Sequence, residues 1–342
     1  MSIRRVGREE KPPPLCVSLP RQIRDKYVGL AARHSLDALD AGIIRELTGP
    51  EGAYQWNVRQ SYSIVARNLG IDEETVRRRV RGMENRGLLK GSELIVNPYL
   101  VGREPVRMLL RGTHSGQAKR TAISQIRLVD GTLLIVDMQG DSLQVLLFCE
   151  SKAVDRTAQL ITSIAGCKDP IVLRNLGGLG FYPSDIRLTE TDFRILLSLR
   201  RSPRKSTSRI ADEVGISTRT VERRLDLMIE KKAFFRMFRL DFQKSDGITC
   251  SVIVTYGDEG KKEKLDRTIA SRLDKTIFLA TAARTASQFN FVCSNIAEAE
   301  SIKEWIERLD GVSRADMGII REYILTSEWL DEELQSMQSE AQ

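Results

Sequence analysis

The sequence predicts an α+β protein in which one unit of about 145 residues occurs twice. Two 15-residue segments, which begin at Ala66 and Ala211, lie 145 positions apart and share seven identical residues. Apolar residues follow helical spacing in the first half of each unit and strand spacing in the second half. The chain has 342 residues, which is enough for two to four domains.

The first half of each unit is predicted to form three helices. In the first unit these helices span residues 36–47, 61–69 and 72–86, with Ser35 and Asp72 as N-caps of the first and third. In the second unit they begin at Thr189, Ser208 and Ser217. The first unit has about seven extra residues between 48 and 61, which predict a longer loop between its first two helices.

A tight turn separates the second and third helices of each unit. Gly70 and Gly215 occupy this turn, where we expect a positive φ. The pattern Ala-x3-Gly-Ile-[Asp/Ser]-x2-Thr-Val-x-Arg-Arg is therefore typical of a helix-turn-helix. The β-rich segments 94–98 and 234–240 follow the third helices, in the position of a wing.

The second half of each unit is predicted to have the order strand, helix, strand, strand, helix, strand. In the first unit these elements span 106–111, 117–128, 132–138, 142–149, 152–164 and 171–174. In the second unit they span 249–256, 262–273, 278–281, 288–293, 297–309 and 313–319. This βαββαβ order is the ferredoxin-like arrangement, which places both helices on one face of the sheet and leaves the other face to be covered.

The fold class is thus a tandem repeat of a winged helix-turn-helix plus a ferredoxin-like domain. We expect a basic, partly disordered arm (1–34), winged helix-turn-helix 1 (35–102), ferredoxin-like domain 1 (103–175), a linker (176–187), winged helix-turn-helix 2 (188–245), and ferredoxin-like domain 2 with a C-terminal helix (246–342). The acidic stretch 328–333 within that helix is interpreted as a solvated surface.

Composition excludes several classes of protein. The chain has only two histidines, so a three-histidine metal centre is excluded, and we expect neither a metal nor a cofactor. Five cysteines without a C-x-x-C pair predict reduced thiols in a cytoplasmic protein. No run of eighteen apolar residues and no signal-peptide pattern occur, so no membrane association is expected. The net charge of +7 permits a polyanionic partner.

The third helix of a helix-turn-helix enters the major groove of DNA, where arginine pairs with guanine and contacts phosphate. The candidate DNA-binding residues are Arg77, Arg78, Arg79, Arg81, Ser217, Thr218, Arg219, Arg223 and Arg224. Arg79 and Arg224 lie nearer the core edge and are expected to contact phosphate. Glu73 and Glu74 oppose phosphate in the first unit, so the second unit is predicted to be the stronger DNA reader.

This combination of motifs resembles the Lrp/AsnC (feast/famine) transcription factors over residues 35–330, with two family units fused in tandem. The resemblance implies double-stranded DNA as the partner and homo-oligomers through the ferredoxin-like domains, which pair sheet to sheet. In this chain the two domains are expected to pair as an intrachain pseudo-dimer. Family members bind small effectors, often amino acids, near the turn between the middle strands, which makes Asp141 and Arg284 candidate effector contacts.

The leading hypothesis is a sequence-specific transcriptional regulator that is not an enzyme. One alternative is an architectural DNA- or partner-binding protein without sequence readout, which Glu73 and Glu74 support. The other is a tetrapyrrole enzyme, since siroheme decarboxylases resemble this family in fold and occur as two fused units. Those enzymes rely on histidine and arginine, whereas His114 is the one histidine in the two ferredoxin-like halves.

Overall fold

The computed structural model describes residues 36–49, 54–174 and 181–340, without the side chains of Ala280 and Thr281. The basic arm predicted for residues 1–34 lies outside the described residues, as does the Gly-rich part of the linker. None of the helices in the described ranges is long and apolar enough to cross a membrane.

Both units have the predicted order of elements. The first unit consists of α1 (Ala38–Thr48), α2 (Tyr62–Leu69), α3 (Glu73–Asn85), β1 (Leu89–Val96), β2 (Glu104–Leu110), α4 (Gly116–Ile126), β3 (Thr132–Met138), β4 (Leu143–Cys149), α5 (Val154–Ala165) and β5 (Ile171–Leu173). The second unit consists of α6 (Glu190–Leu199), α7 (Thr207–Val214), α8 (Thr218–Glu230), β6 (Phe234–Leu240), β7 (Ile248–Tyr256), α9 (Glu259–Arg272), β8 (Thr276–Ala283), β9 (Ala286–Cys293), α10 (Ile296–Glu307) and β10 (Val312–Leu325). A final helix, α11 (Trp329–Glu340), follows.

Side-chain caps fix the starts of the helices. Asp72 and Ser217 cap α3 and α8 by accepting hydrogen bonds from the backbone N–H groups three residues later, as the sequence predicts. The cap of α1 is Asp37 rather than Ser35, and its carboxylate accepts from the N–H of Asp40 at 2.8 Å. Helix α7 begins one residue earlier than predicted because Ser206 caps it.

The turns between the second and third helices need glycine in both units. Gly70 has a φ of 65° and Gly215 a φ of 71°, which is the left-handed region that an L side chain adopts only with strain. In each case the glycine N–H donates to the carbonyl of the alanine four residues earlier, Ala66 or Ala211. The turn chemistry read from the repeat is therefore present twice.

The strands after the third helices pair with each other. Strands β1 and β6 form an antiparallel two-stranded sheet, in which Leu94 lies opposite Arg236 and Val96 opposite Phe234. Each helix-turn-helix thus contributes one strand to a ribbon shared by both units. The two wing-like segments predicted from the sequence join the helix-turn-helix domains to one another.

The two ferredoxin-like domains share one antiparallel sheet of eight strands, in the order β5-β2-β4-β3-β10-β7-β9-β8. Strand β10 connects them, because its first part pairs with β7 and its last part, from Ile320 to Leu325, pairs with β3. This second pairing explains why β10 continues six residues beyond the predicted end at Ile319.

The open faces of the two half-sheets also contact each other. The guanidinium of Arg107 on β2 donates to Gln288 Oε1 on β9. The Gln288 amide in turn donates to Gln144 Oε1 on β4 at 3.1 Å. These side chains are all buried. The two faces that the ferredoxin-like order leaves uncovered therefore meet within one chain, across a polar layer.

The helix-turn-helix domains pack on the ferredoxin-like domain of the opposite unit. Helices α1–α3 share a core with Ile277 and Val292 of the second unit. Helices α6–α8 share a core with Leu133 and Phe148 of the first unit and with α11. Each helix-turn-helix therefore packs on the other unit, and the β1–β6 ribbon joins the two helix-turn-helix domains.

The extra residues of the first unit fill the junction between the units. The Tyr54 ring packs 4.7 Å from Phe181 and 4.3 Å from Phe235, measured between ring centroids. Trp56 lies with its ring edge against the same two phenylalanines. The segment that the sequence predicts as a longer loop therefore contributes aromatic side chains to the core between the units.

Candidate nucleic-acid interface

Helix α8 presents an exposed polar face. Thr218, Arg219 and Arg223 are exposed on it, while Val221 and Leu225 on the opposite face are buried. Arg219 and Arg223 make no ion pair with any residue in the described ranges. Ser217 is also exposed, but its hydroxyl serves as the N-cap and contacts Thr220. The guanidiniums of Arg219 and Arg223 are therefore available to an outside partner.

Helix α3 presents the corresponding face, and one of its arginines is paired with a carboxylate. Arg77, Arg78 and Arg81 are exposed, as predicted. Glu73 forms an ion pair with Arg77 across one helical turn. Arg78 donates to the hydroxyl of Thr75 at 3.3 Å. The intrahelical carboxylate thus neutralises one of the three arginines and leaves Arg78 and Arg81 without a carboxylate partner among the described residues. That the first unit reads DNA less strongly stays a prediction.

Arg79 and Arg224, which we expected to contact phosphate, bind carboxylates inside their own helix-turn-helix domains. Arg79 lies 2.7 Å from Asp37 and 3.5 Å from Asp40 on α1. Arg224 makes a two-pronged contact with both carboxylate oxygens of Asp192, which is fully buried. These guanidiniums hold the third helix against the first, so both arginines are removed from the DNA-facing set.

The carboxyl group of Asp40 is buried close to a second carboxylate. Burial raises the pKa of its carboxyl to about 6, a rise that nearby Asp37 increases and that Arg79 and Arg86 oppose. Because the folded state binds this proton more tightly than the unfolded state, the associated stability is complete below pH 3.8. It is lost as the pH rises through about 6.

We therefore expect Asp40→Asn, which mimics the protonated form, to be more stable than the wild type at pH 7, by up to about 3 kcal/mol. The difference should shrink towards pH 4, as measured by urea unfolding across this range. Asp72→Asn should instead lower the stability at pH 7, since hydrogen bonds from Thr75 lower the pKa of Asp72 and so favour its ionised form in the folded protein. Parallel pH profiles for the wild type and Asp40→Asn would contradict the expectation.

The candidate effector residues lie apart from each other. Asp141 is exposed in the β3–β4 turn, and its backbone carbonyl accepts hydrogen bonds from Thr113. Arg284 is exposed in the β8–β9 turn, and its guanidinium pairs with Glu259 at 2.9 Å. The structure therefore does not bring these two side chains into a common pocket.

One contact between the helix-turn-helix domains was not visible in the sequence pattern. Arg204, in the α6–α7 turn, stacks on the ring of Tyr62 with its guanidinium carbon 4.1 Å from the ring centroid. It also donates to the Gln60 carbonyl at 3.0 Å. Arg77 lies 5.5 Å from the same ring centroid. Together with the β1–β6 ribbon, this contact joins the two helix-turn-helix domains directly.

Comparison with known proteins supports the assignment of this surface. A family model described as winged helix-turn-helix DNA-binding matches residues 188–231, which include α6–α8. The HTH-type transcriptional regulator Ptr1 of Methanocaldococcus jannaschii is 28% identical over 145 residues, which cover 41% of this chain and 93% of that protein. The regulatory protein AsnC of Haemophilus influenzae is 32% identical over 69 residues, 20% of this chain and 41% of that protein.

A solved structure extends the similarity to the whole arrangement. The siroheme decarboxylase NirDL matches with a TM-score of 0.54 at 15% identity, covering 89% of this chain and 99% of the other. This likeness concerns the fold alone, and it is consistent with two units in tandem. The chain thus carries a winged helix-turn-helix segment and is similar in sequence to HTH-type transcriptional regulators, AsnC among them.

Proposed function

We propose that the chain is a sequence-specific, DNA-binding transcriptional regulator that presents two unlike recognition helices on one intrachain pseudo-dimer. The observation that carries this proposal is the exposed, unpaired pair Arg219 and Arg223 on α8, inside the segment that matches the DNA-binding family model. Bidentate contacts of arginine with guanine suit such side chains.

The two recognition helices differ in their exposed residues, so their DNA half-sites need not be identical. Helix α8 offers Thr218, Arg219 and Arg223, whereas α3 offers Glu74, Arg78 and Arg81 together with an arginine that is paired with Glu73. We therefore propose an imperfect or non-palindromic operator with half-sites about 34–36 Å apart, or a multiple of that distance. Double-stranded DNA is the partner that we propose for this surface.

In-vitro selection of DNA sites from a random library tests the function and the asymmetry together. We expect an enriched motif with two unequal halves, bound with an affinity that falls steeply with salt because phosphate contacts release counterions. Failure to enrich any motif, with salt-dependent binding retained, would favour the architectural alternative. Binding that does not respond to salt would contradict DNA as the partner.

The comparisons favour a regulator over an enzyme, because the matched relatives are named as transcriptional regulators. The tetrapyrrole alternative rests on a likeness of fold at 15% identity. We accordingly propose a cytoplasmic, non-enzymatic protein. Asp141 and Arg284 lie in different hairpin turns. We therefore propose each of them as an effector contact of its own, and not as two contacts to one effector.

We also propose that two chains associate through ferredoxin-like domain 1. The inner faces of the sheets are already covered, so an oligomer has to use outer surfaces. Leu128 is 85% exposed at the end of α4, and Leu160 is 50% exposed on α5. Both side chains line the same surface depression. Mass photometry should show a dimer that Leu128→Glu and Leu160→Glu convert to single chains, and a wild-type monomer would contradict this proposal.

A further inference from the structure

A cavity of about 230 Å³ lies at the centre of the molecule, between the β1–β6 ribbon and the inner face of the large sheet. Its walls come from both units. Apolar side chains form much of its lining, among them Leu134, Val136, Phe238 and Phe278. Neither Asp141 nor Arg284 lines this cavity, and none of the DNA-facing residues of α3 and α8 does so.

Two buried arginines also line this cavity. Arg236, on β6, is 1% exposed, its Nε has no hydrogen-bond partner, and Nη2 donates to the Leu47 carbonyl at a long 3.4 Å. Arg107, on β2, is 7% exposed and donates to the neutral amide oxygen of Gln288. Neither guanidinium forms an ion pair with a carboxylate of the described residues.

The acidic residues of the cavity do not neutralise these arginines. Asp241 pairs with Lys90 at 2.7 Å, and Glu322 is exposed at the rim. Four basic residues line the cavity against these two acidic ones. Within the described ranges, the interior therefore carries an excess of positive charge that no neighbouring carboxylate balances.

An unpaired buried cation is costly to a folded protein, and buried charges are normally paired or hydrogen-bonded. This cost is reflected in the pKa values of both arginines, because burial lowers the pKa of Arg236 to about 9 and also lowers the pKa of Arg107. The contrast with Arg79 and Arg224 is informative, because both of those partly buried arginines have carboxylate partners. A group outside the chain can supply the missing anion.

The size and lining of the cavity restrict what that group is. A cavity of about 150 Å³ with apolar walls accommodates benzene, whereas pockets for drug-sized ligands begin near about 300 Å³. A volume of 230 Å³ between these limits suits one aromatic ring or a short alkyl chain together with a carboxylate. Planar guanidiniums are well matched to a carboxylate, which accepts two parallel hydrogen bonds.

We propose that the central cavity is a binding site for a small carboxylic acid with an apolar body, whose carboxylate pairs with the guanidiniums of Arg107 and Arg236. The apolar part of the ligand contacts the aromatic and aliphatic walls. This site is independent of DNA binding, because none of its residues belongs to the exposed faces of α3 and α8.

Isothermal titration calorimetry on the full chain, without DNA, tests the proposal. The probes are a panel of straight-chain acids of four to eight carbons, phenylacetate, 3-phenylpropionate and indole-3-acetate, each compared with its primary amide. We expect one acid to bind with one-to-one stoichiometry and at least tenfold more tightly than its amide. Equal affinity for acid and amide, or no binding by any acid, would overturn the proposal.

Variants locate the binding in the cavity. Arg107→Met and Arg236→Met should each weaken the acid at least tenfold. For Arg236→Met the melting temperature without ligand should stay the same or rise, because a buried charge without a carboxylate partner is removed. Arg239→Met is the matched control, since that side chain lines the rim, is 53% exposed and lies 3.7 Å from Glu93. Equal loss in all three variants would overturn the assignment to the two buried arginines.

Siroheme serves as a third kind of probe. Its macrocycle with several carboxylates exceeds the single ring that the cavity volume accommodates. We expect no change in its Soret absorbance on addition of the protein. Tight binding of siroheme that the small acids fail to displace would overturn the size limit of the proposal.

Discussion

Replacing Arg219 and Arg223 together by alanine should weaken specific DNA binding by at least about 30-fold. Each guanidinium is exposed on α8 and makes no ion pair within the part of the chain that the structure describes. A good arginine–base contact contributes about 1–3 kcal/mol of discrimination. Substituting Arg77 and Arg78 on α3 should cost less than about tenfold, because Glu73 already neutralises Arg77. Gel-shift titrations at fixed salt against the selected DNA site measure both effects.

A control has to remove the same charge from elsewhere on the protein. Arg267 and Arg308 are exposed on ferredoxin-like domain 2, and each pairs with a glutamate on its own helix. The Arg267→Ala/Arg308→Ala variant should retain nearly wild-type affinity, apart from a small long-range electrostatic effect. If the α8 variant kept its affinity while the α3 variant lost binding, the proposed order of the two recognition helices would be reversed.

The local structure of this chain could be predicted because its signals are local. The caps Asp72 and Ser217 and the glycines in the turns determine helix ends by hydrogen bonds within a few residues. Each cap and each turn glycine also occurs at the aligned position of the other unit, which supports both assignments. The βαββαβ order followed in the same way, with strand β3 placed at its observed bounds.

The arrangement of the domains could not be predicted in the same way. Each helix-turn-helix has an apolar face that either ferredoxin-like domain could cover, so nothing local indicates that α1–α3 pack on Ile277 of the opposite unit. The pairing of β1 with β6 depends on that exchange. The burial of Arg107 and Arg236 depends on it too, because strand alternation does not show which face another domain covers.

One part of the site could have been found in the sequence. Asp40 and Asp192 occupy aligned positions in the first helices of the two units, as Arg79 and Arg224 do in the third helices. A carboxylate and an arginine that recur together in both repeats indicate an internal ion pair. This pattern would have separated Arg79 and Arg224 from the DNA-facing arginines.

The largest loss of stability is expected from Arg200→Met. Arg200 is 2% exposed at the end of α6 and donates to the Leu94 carbonyl on β1, to the Ser327 carbonyl at 2.8 Å and to Asp331 on α11 at 2.7 Å. Methionine would leave two buried carbonyl oxygens without this donor. Loss of one partner from a buried ionic network costs about 3–5 kcal/mol, which chemical denaturation at pH 7 can measure.

Arg201→Met distinguishes the effect of burying a guanidinium from the effect of its charge. Arg201 pairs with the same carboxylates as its neighbour, Glu93 at 2.8 Å and Asp331 at 2.6 Å, but its side chain is 47% exposed. Its loss should cost less than the loss of Arg200, because the guanidinium is half exposed and the buried carboxylate of Glu93 keeps Arg200 and Arg239 within 3.7 Å. Equal destabilisation by the two variants would mean that the shared carboxylates Glu93 and Asp331, rather than the buried guanidinium, determine the stability of this junction.

Arg200 also bears on whether the two units unfold together. It connects β1 of the first unit with α6 and α11 of the second, so its hydrogen bonds cross between the halves of the repeat. If this junction couples the units, calorimetric unfolding of the wild type should show one transition, and Arg200→Met should split it into two. Arg201→Met should keep the single transition. A wild type with two transitions would show instead that the exchanged packing leaves the units independent in stability.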